Sequence, residues 1–200
     1  MITLEQYIEV AKSLQIELAA LKAVEEVEST GEGFLESGKL KILFEGHRFY
    51  KYAKNAKEIA KKYPKICYPK WTRQFYYGGD REYLRFNVAF GLDAEAAMKS
   101  TSWGAYQIMG DEFWRLGFEN VGQMVDSFKK GEYEQLQGFA KFVVSKKLVK
   151  ALQQKRWADF AKGYNGPNYK KNEYDIKLQK AYEKYAKEYP SDRFPIVIAA

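Results

Sequence analysis

The sequence predicts an α+β domain that is mainly helix. Three observations carry that expectation: apolar residues recur at helical spacing along most of the 200 residues, one short segment alternates instead, and the breaks between them are brief clusters of glycine, proline and polar residues. With 23.3 kDa and 46% hydrophobic side chains, the chain can bury a core of its own, so a single domain over residues 1–200 is expected.

Thr3 followed by Gln6 fits a capping box, and Leu4, Ile8, Ala11 and Leu14 give a first helix its apolar face. Leu18, Leu21, Val24 and Val27 do the same for a second helix, which Gly31 and Gly33 end soon after Glu28 and Ser29. Residues 34–44 change period: Ser37-Gly38 marks a turn and Leu40, Ile42 and Phe44 alternate, predicting a small β-hairpin. Residues 45–62 read as a basic helix that stops before Pro64, and residues 63–80, rich in aromatic residues, glycine and proline, as a loop. Helical spacing returns at 81–90 and 93–99, with Asp93 as N-cap. Residues 100–110 are irregular. Helices are expected at 111–116, 121–129, 132–152 and 157–162; residues 163–167 interrupt, and a last helix covers 172–188. The total is about nine short helices and one hairpin.

Composition narrows the function. A net charge of +7 and a pI near 9.2 favour an anionic partner: nucleic acid, an acidic membrane surface or bacterial wall. The single cysteine, Cys67, excludes an internal disulfide framework and a Cys-based zinc cluster, and the single histidine, His47, excludes a His-rich metal site. No metal and no cofactor is therefore expected. The first residues lack the basic start and apolar run of a secretory signal, and no stretch approaches the roughly 18 apolar residues of a spanning helix. Synthesis in the cytoplasm is expected, with another route for any action outside it. Aromatic residues at 16% suit either a core or a ring-stacking cleft.

Helical domains place function on the breaks between helices, and three breaks stand out, at residues 27–34, 102–109 and 163–167. Glu28-Ser29 closing a helix, the later Gly104, Gln107, Ile108 and Met109, and then Tyr164-Asn165-Gly166 resemble, in that order, the signature patches of the lysozyme-like superfamily, as in lytic transglycosylases and goose-type lysozymes. Residues 41–50, 100–104 and 161–167 resemble the N-acetylmuramidase family of phage endolysins and bacterial wall hydrolases, and the similarity runs from about Leu18 to Tyr182. It implies a lysozyme-like single domain whose hairpin forms one wall of the cleft. Several such relatives carry a separate wall-binding domain; with a first helix starting at about Leu4, none is expected here.

Cleaving a glycosidic bond requires a carboxylic acid that stays protonated near neutral pH. Apolar surroundings and a helix C-terminus both disfavour the carboxylate anion. Glu28, between Val27 and the nearby Phe34 at a helix end, meets both conditions in sequence, and the resemblance gives it the role of general acid; on its own it also reads as a solvated acid in a turn with Glu25, Glu26 and Glu32. Glu45 is the candidate second carboxylate, which would stabilise positive charge on the sugar or activate water, ahead of Glu36, Glu32 and Asp93. Its structural alternative is a helix cap or an ion pair with Arg48 or His47. Ser102, Gln107, Tyr164 and Asn165 are candidate substrate-positioning groups, since hydroxyls and amides match sugar hydroxyls and N-acetyl groups. The resemblance puts the Gln107 patch on the cleft floor and the Tyr164-Asn165 patch beside the acid; the alternative for Gln107 and Asn165 is that they merely hold turns. Trp103 and Tyr106 are candidates for stacking on sugar rings, with burial in the core as the alternative. His47 reads as a structural hydrogen bonder, and Cys67 has no partner that would make it a nucleophile.

The expected function is a peptidoglycan hydrolase that cuts the β-1,4 bond between N-acetylmuramic acid and N-acetylglucosamine. The alternative within the fold is a lytic transglycosylase giving 1,6-anhydro products. A basic binding module, suggested by Phe75-Tyr76-Tyr77 beside Arg73 and Arg81, lacks any recognised nucleic-acid motif, so no nucleic-acid partner is expected. Expected partners are peptidoglycan glycan strands and the anionic bacterial envelope, drawn by the lysines of 51–70 and by Lys170, Lys171, Lys177, Lys180 and Lys184, with the chain a monomer. The simplest context is a phage endolysin made in the host cytoplasm that reaches periplasmic peptidoglycan after holin-type release.

Overall fold

The computed structural model describes residues 1–29, 31–167 and 169–195. Its elements begin with α1 (Leu4–Leu14), α2 (Leu18–Glu28), β1 (Ile42–Phe44), α3 (Gly46–Tyr52), α4 (Ala56–Lys62), α5 (Glu82–Leu92) and α6 (Ala94–Lys99). They continue with β2 (Thr101–Trp103), β3 (Ile108–Met109), α7 (Val121–Phe128), α8 (Glu132–Ser145), α9 (Val149–Gln153), α10 (Trp157–Asn165) and α11 (Tyr174–Glu188). Helix predominates and the strands form one small antiparallel sheet, as the sequence predicts. The chain divides into two compact units, Met1–Gly31 with Leu136–Ala200 and Glu32–Gln135.

In the first unit, Thr3 and Gln6 form the reciprocal capping box that starts α1. α2 buries Leu18, Leu21 and Val24, and its alanines Ala19, Ala20 and Ala23 are fully covered. Such small side chains let a neighbouring helix approach closely, and α11 packs along α2 and also against α10. Leu178 and Ala181 of α11, Phe160 and Ala161 of α10 and Phe139 and Val143 of α8 complete this core.

The second unit is organised around the order β1-β2-β3, with Leu43 opposite Ser102 and Trp103 opposite Ile108. Beneath it lies a buried ion pair, Glu82 with Arg85, one turn apart on α5 and almost without solvent exposure. Glu82 accepts from the backbone N–H of Phe44, Tyr77 and Gly78. Arg85 donates to Phe44 O at 2.9 Å and lies over the rings of Phe44 and Tyr76. One carboxylate and one guanidinium thus capture both backbone groups of the last residue of β1 and pin residues 76–78 beside it.

Several elements depart from expectation. The hairpin over 34–44 shrinks to one bridge, Phe34 with Leu40, around the Ser37-Gly38 turn, where Gly38 has φ 78°. Ile42–Phe44 pairs instead with Thr101–Trp103, so residues 100–110, expected to be irregular, contain a hairpin of their own. Its reversal uses Gly104 at φ 73°, a left-handed conformation that glycine adopts without a Cβ clash. The helix expected over 45–62 breaks at Ala53, and α4 starts after Asn55 in the left-handed region. Residues 132–152 split in the same way, with Lys147 at φ 60° between α8 and α9. α10 runs on through Tyr164 and Asn165 and stops at Gly166, φ 83°. Residues 111–116 form a 3-10 helix, Gly110–Leu116. Asp93 caps α6 through the Ala96 N–H, as its position predicts.

Candidate active site

Glu28 is the last residue of α2, and its side chain is buried, 9% exposed. Asn165, the last residue of α10, donates its side-chain amide to Glu28 Oε1 at 2.8 Å. Burial pushes the Glu28 carboxyl up to about 7, against the opposing pull of the Asn165 bond. Glu28 and Asn165 are each the last residue of their helix, and the dipole at a helix C-terminus also disfavours an anion. Tyr164 stacks on Phe160 at 5.6 Å and meets Phe139 and Phe142 edge-on. Burial, with the charges of Glu28 and Tyr174 as lesser causes, holds the Tyr164 hydroxyl far above the usual phenol range, so it stays protonated. The structure therefore brings Glu28, Tyr164 and Asn165 together in the first unit. The result is a carboxylic acid that carries its proton for much of the time at neutral pH, the condition for general-acid work. Thr30, two residues beyond Glu28, lies outside the described residues.

Glu45 sits between β1 and α3, at the N-cap position, but its side chain makes no capping hydrogen bond. Its backbone N–H donates to Ser100 O and its carbonyl accepts from Arg48 and Phe49. Its Oε2 lies 3.4 Å from His47 Nε2. Burial, chiefly, and the charge of Arg48 hold the imidazole below its ordinary value, so this contact is to a neutral ring at neutral pH. Burial raises the Glu45 carboxyl, Arg48 lowers it and Asp111 raises it, with a net upward shift. Arg48 Nη2 and the Tyr52 hydroxyl both donate to Asp111 Oδ2 at 2.5 Å. The competing carboxylates do other things: Glu32 and Glu36 are exposed and Asp93 caps a helix.

Ser102 and Gln107 also meet, but on each other. Ser102 Oγ donates to Gln107 Oε1 at 2.8 Å, and Gln107 Nε2 donates to Gly104 O at 2.8 Å. Gln107 has φ 47°, and these bonds hold the β2–β3 reversal. The turn-holding reading of Gln107 thus describes its contacts within the chain. For Trp103 and Tyr106 the structure corrects the stacking expectation. They are 2% and 6% exposed, and Trp103 packs edge-on against Phe86 with its indole N–H given to Met98 O. A ring sealed on both faces offers nothing for a sugar to stack on.

Three features were not found from sequence. Gln135, fully buried, accepts from the Ala105 N–H and donates to Phe128 O, joining the β2–β3 reversal to the start of α8. A Cβ on Gly33 or Gly104 would come within 2.1 or 2.5 Å of its side-chain oxygen, which explains glycine at both positions. The others are the Glu82–Arg85 clamp and the Arg48–Asp111 pair. Glu82 and Arg85 are one turn apart, but the Phe44 backbone they hold, like the Asp111 partner of Arg48 and the Ala105 partner of Gln135, is distant in sequence, and a polar residue within a helical pattern carries no signal of such a contact. Cys67 is buried, donates to Ala56 O, and is pushed up to about 11, so it stays an unreactive thiol. Among the described residues no group of three or more His, Cys, Asp or Glu could hold a metal, and no helix is long and apolar enough to cross a membrane.

Comparison with known proteins adds to this geometry. A family model described as N-acetylmuramidase matches residues 17–186. Among solved structures the chain is similar to the crystal structure of Burkholderia AP3 phage endolysin, with 41% identity and a TM-score of 0.87, over 93% of this chain and 72% of that one. No curated protein matches.

Proposed function

Since the chain belongs to the N-acetylmuramidase family and is a lysozyme-type glycoside hydrolase of peptidoglycan, we propose that it cuts the β-1,4 bond between N-acetylmuramic acid and N-acetylglucosamine by hydrolysis. The observation that supports this reading most is the Glu28 carboxyl, buried at a helix end, poised near 7 and bonded to Asn165. In the proposed reaction Glu28 protonates the leaving glycosidic oxygen as the bond to the sugar carbon breaks. The Asn165 amide fixes one carboxyl oxygen and so directs the acidic one. Glu45 is the second carboxylate, stabilising the oxocarbenium-like sugar or taking a proton from the attacking water. Ser102 and Gln107 act by shaping the β2–β3 reversal, and Tyr164 by filling the apolar wall behind the acid. The proposal includes a monomer that reaches periplasmic peptidoglycan after holin-type release, helped by attraction between its net charge of +7 and the anionic envelope.

Mass spectrometry of digested sacculi tests this reading. Reducing-end muropeptides released by the parent and not by Glu28→Gln support it. Anhydro products would replace hydrolysis with lytic transglycosylation, and equal release by both proteins would remove Glu28 from the chemistry.

A further inference from the structure

Arg48 stands within reach of two carboxylates and is committed to one of them. It lies three positions after Glu45, in the first turn of α3, and its backbone N–H donates to the Glu45 carbonyl at 2.9 Å. Its guanidinium turns instead to Asp111, with Nη2 at 2.5 Å from Oδ2, and the Tyr52 hydroxyl holds that same oxygen at 2.5 Å. The grip is by one prong: Arg48 Nε and Asp111 Oδ1 are buried and have no hydrogen-bond partner among the described residues. A two-pronged fork would lock the guanidinium more firmly than this.

The other groups facing Glu45 are neutral at working pH. His47, on the same helix, is held below its ordinary value by burial first and by Arg48 second. Tyr68 and Tyr76, from the loop after α4, are phenols that burial raises, Tyr76 to about 12. Among the described residues, the charges acting on Glu45 are therefore those of Arg48 on α3 and Asp111 on the 3-10 helix. They oppose each other, and the nearer contact belongs to the pair itself.

We propose that Asp111 is a positioning residue for the reaction: by holding the Arg48 guanidinium on itself, it keeps that cation from pairing with Glu45 and so sets the charge state of the second carboxylate. This rests on the assignment of Glu45 made above. Arg48 released from Asp111 is left with Glu45, three positions before it at the N-cap of α3, as the other carboxylate whose charge acts on it. Two consequences follow from removing the Asp111 charge, and both favour ionised Glu45: the repulsion between the carboxylates is lost, and the cation is freed. Removing the Arg48 charge does the reverse.

The test is a pair of charge-removing variants, Asp111→Asn and Arg48→Gln, read by the pH dependence of kcat/KM on purified sacculi and by NMR titration of the Glu45 carboxyl carbon, assigned by its loss in Glu45→Gln. The expected result is a shift of the Glu45 titration and of the acidic limb of activity by about one pH unit, downward in Asp111→Asn and upward in Arg48→Gln. Loss of a merely structural contact would change activity without moving that limb in opposite directions. Shifts of the same sign in both variants, or no shift in either, would overturn the proposal. If Glu45→Gln keeps full activity and its acidic limb, the catalytic assignment of Glu45 fails by itself, while opposite NMR shifts would still establish the coupling.

Discussion

Asn165 donates its side-chain amide to Glu28 Oε1 at 2.8 Å across 137 positions of sequence, joining the final residue of α10 to the final residue of α2. The bond stabilises the charged carboxylate, yet the carboxyl still rises to about 7 because burial outweighs it. Activity that depends on protonated Glu28 is therefore expected to fall as pH rises through about 7. A rate profile on sacculi checks this, and a rate that stays flat to pH 9 would remove Glu28 as the acid.

The same shift has a cost in stability. A carboxyl whose value is about 7 when folded and 4.5 in the ordinary state binds more protons folded than unfolded, so stability is lost as pH climbs from about 4.5 through 7. The shift corresponds to about 3 kcal/mol at alkaline pH. Glu28→Gln, which cannot ionise and whose amide oxygen can still accept from Asn165, is expected to match the parent at pH 4 and exceed it at pH 8.5 in melting temperature. It should also abolish lysis. Melting curves that remain parallel at both pH values would contradict the buried-acid account.

Asn165→Ala removes the side-chain hydrogen bond that lowers the Glu28 value. The alkaline limb of activity should move upward, while the maximal rate falls because the carboxyl loses its fixed orientation, by about tenfold if one positioning hydrogen bond is at stake. A downward shift of that limb would mean that Asn165 does not act through Glu28.

What could be read from sequence follows the range of the interactions. The ends of α1 and α2, the Asp93 cap and the placement of Glu28 at a helix end depend on residues three or four apart, and the sequence records them. The resemblance supplied the pairing of Tyr164 and Asn165 with the acid. The partner of β1 was out of reach, because the strand is three residues long and pairs with one about sixty positions later. Trp103 was ambiguous for a different reason: an aromatic ring suits a core or a sugar equally, and only its neighbours Phe86 and Met98 decide. Gln107 was open between a sugar ligand and a turn holder, and the bonds that make it hold the turn, to Ser102 and Gly104, depend on the left-handed backbone of residue 107, which spacing does not reveal.

Gly104 tests the small-residue fit around Gln135. An alanine there would meet φ 73° and place its Cβ 2.5 Å from the Gln135 oxygen. Left-handed strain alone costs on the order of 1 kcal/mol, and displacing a fully buried amide that caps the Ala105 N–H adds about as much again. Gly104→Ala is expected to lose about 2–3 kcal/mol in urea denaturation, and Gly38→Ala, also at positive φ but with open space around it, less. Equal losses would show that the contact with Gln135 contributes nothing.

The Glu82–Arg85 clamp separates an ion pair that is needed from one that merely exists. Both side chains are buried, and between them they satisfy the N–H and C=O of Phe44 and the N–H groups of Tyr77 and Gly78. Removing one partner leaves the other charge buried with no counter-ion, a loss of about 3–5 kcal/mol. Removing both leaves no charge stranded, so Glu82→Gln with Arg85→Met should cost less than the sum of the single changes, by more than about 1 kcal/mol. Glutamine keeps one of the two acceptor oxygens, enough for the Phe44 N–H or for those of Tyr77 and Gly78 but not for both sides, and that hydrogen-bond loss is common to the single and double variants, so the cycle removes it and leaves the pairing. Because Phe44 immediately precedes Glu45, the single variants should also lower activity more than an equally destabilising change on α7, such as Met124→Ala, which lies fully buried away from β1 in sequence. Additive losses in the double-mutant cycle would mean that the two side chains act independently, through their separate backbone bonds and not as a pair.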